Sequence, residues 1–109
     1  MTSSLGDFEQ LVLLALLRLG DEAYGVSIRD ELCARTGRDV SPGAVYTTLD
    51  RLERKGFVVH RLGSPTPERG GRRKKHWTLR APGRRALESA LAALRRMTEG
   101  LELSPGTPE

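Results

Sequence analysis

Apolar residues recur at steps of three and four in four segments of the chain, and this spacing predicts four amphipathic helices. The first helix is apolar on nearly every side, because a second group of leucines lies beside its main apolar face. The main face comprises Phe8, Leu11, Val12, Ala15, Leu16 and Leu19, and the second group comprises Leu13, Leu14 and Leu17. A helix of this kind needs cover on two sides, so we expect both its own domain and a partner to pack on it.

The second and third predicted helices have recognisable ends. The second covers residues 24–35 and stops at Gly37, because glycine readily adopts the left-handed conformation that closes a helix. The third begins after Ser41, a good N-cap, with Pro42 at the first helical position and Gly56 at its end. The inward stripes are Tyr24, Ile28 and Leu32 in the second helix and Val45, Leu49 and Leu52 in the third.

A β-hairpin is predicted after the third helix. Residues 57–62 form one β-type run, and residues 72–79 form another. Residues 63–71 between them are rich in glycine, proline and serine, which predicts a mobile hairpin loop. Because two strands alone are only marginally stable in water, we expect Trp77 on the second strand to pack the hairpin against the helices.

The last predicted helix starts at Pro82 and carries a seam of leucines spaced four, three and seven residues apart, which is typical of a coiled-coil-like helix. A chain of 109 residues buries only a modest core, so apolar surface from a second subunit would add stability. We therefore expect a homodimer. The predicted dimer interface comprises Leu13, Leu14, Leu17, Leu87, Leu91, Leu94, Met97 and Leu101.

The order of these elements predicts the fold class: mainly α with a β-hairpin, that is, a winged helix-turn-helix with an added C-terminal dimerisation helix. The predicted organisation is a winged-helix domain over residues 1–80 and a dimerisation helix over residues 81–103. A disordered tail is expected over residues 104–109.

Basic residues are concentrated in one part of the chain. Residues 51–85 hold twelve of the 18 lysines and arginines and only two acidic residues, whereas residues 1–50 hold eight acidic and four basic residues. A concentrated positive field is typical of a protein that binds a polyanion, and a merely solvated surface is the alternative. The fold and this charge together favour double-stranded DNA as the partner.

The outer face of the third helix is polar and cationic, as expected of a recognition helix in the major groove. We expect Thr47 and Arg51 to reach base edges. Ser41, Tyr46 and Arg54 are better placed to hold phosphates. The cations of the hairpin would contact the neighbouring backbone or the minor groove. The full predicted DNA-binding set is Ser41, Tyr46, Thr47, Asp50, Arg51, Arg54, Arg69, Arg72, Arg73, Lys74 and Lys75.

The chain resembles the PadR family of bacterial transcriptional regulators over about residues 5–101. The stretch LGDFEQLVLLALLRLG resembles the first helix of the family, and YGVSIRDEL resembles the second, which opens with a Tyr-Gly pair. The stretch SPGAVYTTLDRLERKGFV resembles the recognition helix with its central tyrosine, and GGRRKKHWTL resembles the wing and second strand. The resemblance implies a homodimeric winged-helix repressor in which the last helix embraces the partner's first helix.

The chain also departs from the pattern of the family. Leu79 and Arg80 stand where a Leu-Thr pair usually leads into the last helix, and Trp77 stands where tyrosine is common. The short last helix resembles the smaller branch of the family, which argues against a phenolic-acid effector. That helix contains no aromatic residue, which argues against stacking of flat aromatic drugs. A small-molecule effector is compatible with the sequence, but its identity stays open.

Other function classes find little support in the sequence. It shows no nucleotide-binding loop, no catalytic Ser/His/Asp motif and no metal signature, so we expect neither an enzyme nor a cofactor. Cys33, beside Leu32, is interpreted as a buried and inert thiol, with oxidant sensing as the alternative. His60 and His76 are either ordinary strand residues or a pH-sensitive pair that faces across the hairpin.

Two further alternatives keep the fold and change its role: a non-specific architectural DNA-binding protein, or a winged-helix module that docks another protein. For a specific regulator we expect a pseudo-palindromic operator, because a dimer reads two half-sites. The single cysteine suits a reducing compartment, and the longest apolar run, residues 11–17, is too short to cross a bilayer. We therefore expect a cytoplasmic protein with no membrane partner.

Overall fold

The computed structural model describes residues 5–63 and 74–103. Four helices and a two-stranded antiparallel hairpin follow one another there in the predicted order, which confirms the fold class. The elements are α1 (Asp7–Leu19), a 3₁₀ turn (Gly20–Glu22), α2 (Gly25–Thr36), α3 (Pro42–Arg54), β1 (Val58–Leu62), β2 (Lys75–Leu79) and α4 (Ala81–Thr98). Most of the predicted hairpin loop and the tail over residues 104–109 lie outside the described residues.

The core lies where α1, α2 and α3 pack against one another and against the hairpin. The predicted inner stripe of α3 is confirmed, because Val45, Leu49 and Leu52 have no exposed surface. The predicted N-cap is confirmed as well, since Ser41 Oγ accepts a hydrogen bond from Ala44 N–H at 3.1 Å. With its apolar stripe fixed in the core, α3 must turn its polar residues toward solvent.

The hairpin is fastened to the helices through β2. β1 and β2 pair in an antiparallel register that places Val58 opposite Leu79. On its other edge, β2 is bonded to the segment before α2, because Trp77 N–H donates to the Ala23 carbonyl at 2.8 Å. The Trp77 side chain is 2% exposed, which confirms that it packs the hairpin against the helices.

β2 is shorter in the structure than the predicted strand over residues 72–79. It begins at Lys75, and Lys74 continues the hairpin through its carbonyl, which accepts a hydrogen bond from Gly63 N–H at 2.8 Å. Residues 72 and 73 lie outside the described part of the chain.

The two histidines do not face each other across the hairpin. His60 lies opposite Trp77, and His76 lies opposite Arg61. Because neighbouring strand residues point to opposite faces, this offset of one residue separates the two imidazoles. His60 Nδ1 instead lies 2.6 Å from the Glu53 carboxylate. The alternative of a facing, pH-sensitive pair is therefore wrong.

α4 packs against the domain as far as Leu91. Gly83 is buried so closely that a Cβ there would lie 2.3 Å from the Phe57 carbonyl oxygen. Beyond Leu91 the helix carries uncovered apolar side chains, since Leu94 is 55% exposed and Met97 is 77% exposed. The helix ends at Thr98, before the predicted boundary at residue 103.

Two residues of the predicted dimer interface belong to the core of the subunit itself. Leu13 has no exposed surface and Leu87 is 2% exposed. Their assignment to the interface is wrong, because a side chain covered by its own subunit has no surface left for a partner. Leu14 and Leu91 are partly buried against the same core. The predicted interface residues that the subunit leaves exposed are Leu17, Leu94, Met97 and Leu101.

The described residues, 5–63 and 74–103, contain neither a membrane-spanning helix nor a candidate metal site. No helix in these two stretches combines the length and the apolar character that crossing a bilayer requires. In the same residues, no group of three or more His, Cys, Asp or Glu side chains is placed to hold a metal ion. Cys33 is partly buried, with Sγ 3.8 Å from the Val40 carbonyl oxygen.

Candidate nucleic-acid interface

The exposed face of α3 carries six residues of the predicted DNA-binding set. Tyr46 is 45% exposed, so its ring lies at the surface of the domain rather than in the core. Arg54 bends back along the helix, where Nε donates to the Asp50 carbonyl at 3.4 Å. The exposed set is Ser41, Tyr46, Thr47, Asp50, Arg51 and Arg54.

The first residues of α2 link α3 to the hairpin. The Tyr46 ring and hydroxyl lie directly over Gly25, where a Cβ would be only 2.2 Å from the hydroxyl oxygen. The neighbouring Tyr24 ring lies 4.6 Å from Lys74 Nζ and packs edge-on against His76. Gly25 therefore contacts the α3 tyrosine, and the residue before it, Tyr24, contacts a lysine of the hairpin.

Gly25→Ala is expected to displace Tyr46 without unfolding the domain. The added methyl would overlap the Tyr46 ring, and this half-exposed ring is free to swing outward. Replacing glycine by alanine in a helix is itself neutral or stabilising by roughly 0.5–1 kcal/mol. We expect thermal unfolding close to that of the wild type and duplex binding as weak as that of Tyr46→Ala.

Gly43→Ala is the matched stability control for Gly25→Ala. It adds the same methyl to the first turn of α3, where nothing lies within 4 Å. If Gly25→Ala bound duplex DNA as tightly as the wild type, the contact between the Tyr46 ring and Gly25 would not matter for DNA binding.

Two members of the predicted DNA-binding set, Lys74 and Lys75, lie on the described part of the hairpin, and both are exposed. Lys75 lies opposite Leu62 in the sheet register, with Nζ 6.0 Å from the Trp77 ring centroid. The other three predicted hairpin cations, Arg69, Arg72 and Arg73, lie outside the described residues. The structure thus brings Lys74 next to the α2 start and leaves the rest of the predicted wing cluster as a prediction.

A buried carboxylate that the sequence did not reveal lies behind the α3 face. Glu9 of α1 is 6% exposed and accepts hydrogen bonds from Lys55 Nζ to both oxygens at 2.9 Å. Its Oε2 also accepts from Arg51 Nε at 3.0 Å. Its Oε1 accepts from Gly6 N–H at 2.7 Å, which caps α1. We call Glu9, Arg51 and Lys55 the Glu9 triad.

The Glu9 carboxyl stays ionised in this setting. Burial alone would raise its pKa, but the hydrogen bonds from Gly6 N–H, Lys55 and Arg51 outweigh burial and hold the pKa below its ordinary value. One carboxylate against two cations leaves the triad with a net charge of about +1, so its outer side still attracts an anion.

Comparison with known proteins decides the family. The model of the "Transcriptional regulator PadR-like family" matches residues 13–89, which is more than half of the chain. The chain belongs to this family. The matched region contains α2, α3, the hairpin and the first half of α4, so the predicted resemblance is confirmed over the elements that carry the candidate interface.

Solved structures of PadR-family regulators share the fold of this PadR-like chain. One from Clostridium difficile R20291 is 22% identical with a TM-score of 0.67, and the match covers 84% of this chain and 91% of that one. One from Eggerthella lenta DSM 2243 is 26% identical with a TM-score of 0.64, covering 84% and 77%. Bacillus subtilis PadR in complex with operator DNA is 24% identical with a TM-score of 0.62, covering 92% and 50%.

Curated proteins add no further relative, because none of them matches this chain significantly. Membership of the PadR-like family makes the chain a transcriptional regulator, and such regulators are generally not enzymes. The residue-level assignments to DNA contact are predictions that follow from the geometry described above.

Proposed function

We propose that this PadR-like regulator is a homodimeric repressor that binds a pseudo-palindromic operator in a sequence-specific manner. In the proposed complex, α3 lies in the major groove and the hairpin contacts the neighbouring backbone. The proposal includes release of the DNA by a small molecule whose identity stays open. It also places the protein in the cytoplasm, where a bacterial chromosome is found.

The observation that carries the proposal is the continuous surface formed by Tyr46 on α3 and Lys74 on the hairpin. Both contact the Tyr24-Gly25 pair, so a groove-reading helix and a phosphate-binding hairpin would face the same duplex. The polar face of α3 lies outward because its apolar stripe is fully buried. This combination suits base reading by α3 and phosphate contact by the hairpin.

Bacillus subtilis PadR supports the DNA-binding part of the proposal, because its solved structure is a complex with operator DNA. The match extends over 92% of this chain. The homodimer is supported by the apolar residues that α4 leaves exposed, among them Leu94 and Met97.

The specificity ratio tests the proposal directly. A duplex is selected from a random library with the wild-type protein, and its affinity is compared with that of a random duplex of equal length at physiological salt. A specific regulator is expected to prefer the selected duplex by about 1,000-fold or more. A ratio near one would favour the alternative of a non-specific architectural protein. Absence of binding to either duplex would favour a protein-docking module.

Substitutions on the two parts of the surface are expected to act differently. Arg51→Ala should weaken the selected duplex more than the random one, because Arg51 is the α3 residue expected to reach base edges. Lys74→Ala combined with Lys75→Ala should weaken both duplexes alike. It should also reduce the slope of log affinity against log salt concentration by about 0.9 for each phosphate that the variant no longer binds. Equal losses on both duplexes for all variants would contradict this division of roles.

A further inference from the structure

The Arg51 guanidinium binds Glu9 and Thr48 through one of its edges, and a second edge is available for another partner. Nε donates to Glu9 at 3.0 Å and Nη2 donates to Thr48 Oγ1 at 3.4 Å, so the side edge is engaged within the protein. Arginine has five N–H donors in a rigid fork, and its two terminal nitrogens form a second edge. That end edge is able to bind guanine O6 and N7, or a phosphate, through two parallel hydrogen bonds.

We propose that Glu9 is a positioning residue for sequence reading, which holds Arg51 so that the end edge of its guanidinium faces the DNA. This inference rests on the proposed function. The Glu9 side chain is 6% exposed and the Arg51 side chain is 47% exposed, so the triad joins a buried anchor to a surface cation. A side chain that is already held in place loses less conformational freedom on binding and fits fewer wrong partners.

Because Lys55 also binds Glu9, the Glu9 carboxylate does not cancel the attraction of Arg51 for DNA. The Lys55 ammonium binds both Glu9 oxygens at 2.9 Å, and the Lys55 side chain as a whole is 23% exposed. The Glu9 carboxylate is therefore shared between Lys55 and Arg51, so it offsets the charge of Arg51 only in part. If Glu9 acted on DNA binding only through its negative charge, removing an acidic residue elsewhere on α1 would have a similar effect.

The test compares Glu9→Gln with the wild type on the selected duplex and on a random duplex. Glutamine keeps an oxygen for Gly6 N–H but loses the charge that holds Arg51 and Lys55. We expect affinity for the selected duplex to fall by about tenfold or more, the size of one good bidentate base contact. Affinity for the random duplex should be unchanged or higher, with a salt slope steeper by about 0.9 for each additional phosphate that Arg51 then binds.

Asp7→Asn is the matched control, because it removes one negative charge from the same helix. The Asp7 side chain is 84% exposed and pairs at 3.4 Å with Arg38, a cation that is not part of the triad. It should leave the ratio between the two duplexes unchanged. In the Arg51→Ala background, Glu9→Gln should no longer change the ratio, because Glu9 acts through Arg51. A ratio that falls equally in both backgrounds, or equal losses on both duplexes, would overturn the inference.

A measurement on the wild-type protein covers the case in which Glu9→Gln does not fold. The ¹⁵N–¹H signal of Arg51 Nε, assigned by its absence in Arg51→Lys, should stay protected from solvent exchange when the selected duplex binds. Loss of protection on binding would show that Arg51 leaves Glu9 and would overturn the inference. If the wild type selects no duplex at all, the proposed function fails; if it selects one and Glu9→Gln selects it equally well, only this inference fails.

Discussion

Trp77→Ala is expected to lower the free energy of unfolding by roughly 3–5 kcal/mol, the usual cost of removing a buried aromatic side chain. Trp77 is 2% exposed and lies between β1 and the helices, with the His60 ring centroid 5.0 Å from its own. A two-stranded hairpin depends on such packing, because it is marginal in water by itself. Since small domains are stable by only about 5–15 kcal/mol, urea denaturation followed by circular dichroism should show the loss clearly.

Thr78→Ala is the control for Trp77→Ala. Thr78 is the next residue of β2, but it is exposed and lies opposite the exposed Val59. Its replacement should cost about 1 kcal/mol or less. Because Trp77 is the single tryptophan of the chain, its fluorescence also reports unfolding of the wild type. Equal stability of the two variants would show that the hairpin is held by its backbone bonds alone.

The recognition helix illustrates what sequence patterns predict well. Ser41 and Pro42 are local signals for a helix start, and the stripe of Val45, Leu49 and Leu52 follows from helical spacing alone. Both depend only on residues within four positions of one another. The structure places all of them as predicted, and the polar face of α3 follows as the complement of the buried stripe.

The Glu9 triad illustrates what local patterns miss. Glu9 is separated from Arg51 by 42 residues and from Lys55 by 46 residues, so their meeting depends on how α1 packs across α3. A signal was nevertheless present in the sequence. Glu9 stands three and four positions before Val12 and Leu13, both of which are fully buried. A buried carboxylate needs a cation or hydrogen-bond donors beside it, and in the structure Arg51 and Lys55 supply them.

The register of the hairpin could not be predicted from the sequence, for a different reason. The facing partners of β1 and β2 depend on the length and geometry of the turn, and a shift of one residue reverses which side chains share a face. The offset between His60 and His76 is of this kind. The bond from Trp77 N–H to the Ala23 carbonyl, which ties β2 to the segment before α2, likewise depends on tertiary packing.

The double variant Leu94→Glu with Met97→Glu is expected to convert the proposed homodimer into monomers. These side chains are 55% and 77% exposed in the subunit, so their replacement leaves its core intact and places two charges in the apolar surface of α4. Leu91 would be a poorer choice, because it is partly buried against the core. Sedimentation velocity should show a single species of about half the wild-type mass.

The same variant should bind a duplex with two half-sites far more weakly than the wild type does. Joining two binding modules raises affinity by about 10²–10⁴-fold over one module, and this gain disappears when the subunits separate. The control is Ser89→Glu with Arg96→Gln, which makes an equal change in charge on the side of α4 opposite Leu94. That control should remain dimeric and keep its affinity. A Leu94→Glu, Met97→Glu protein that sediments as a dimer would show that α4 does not join the subunits.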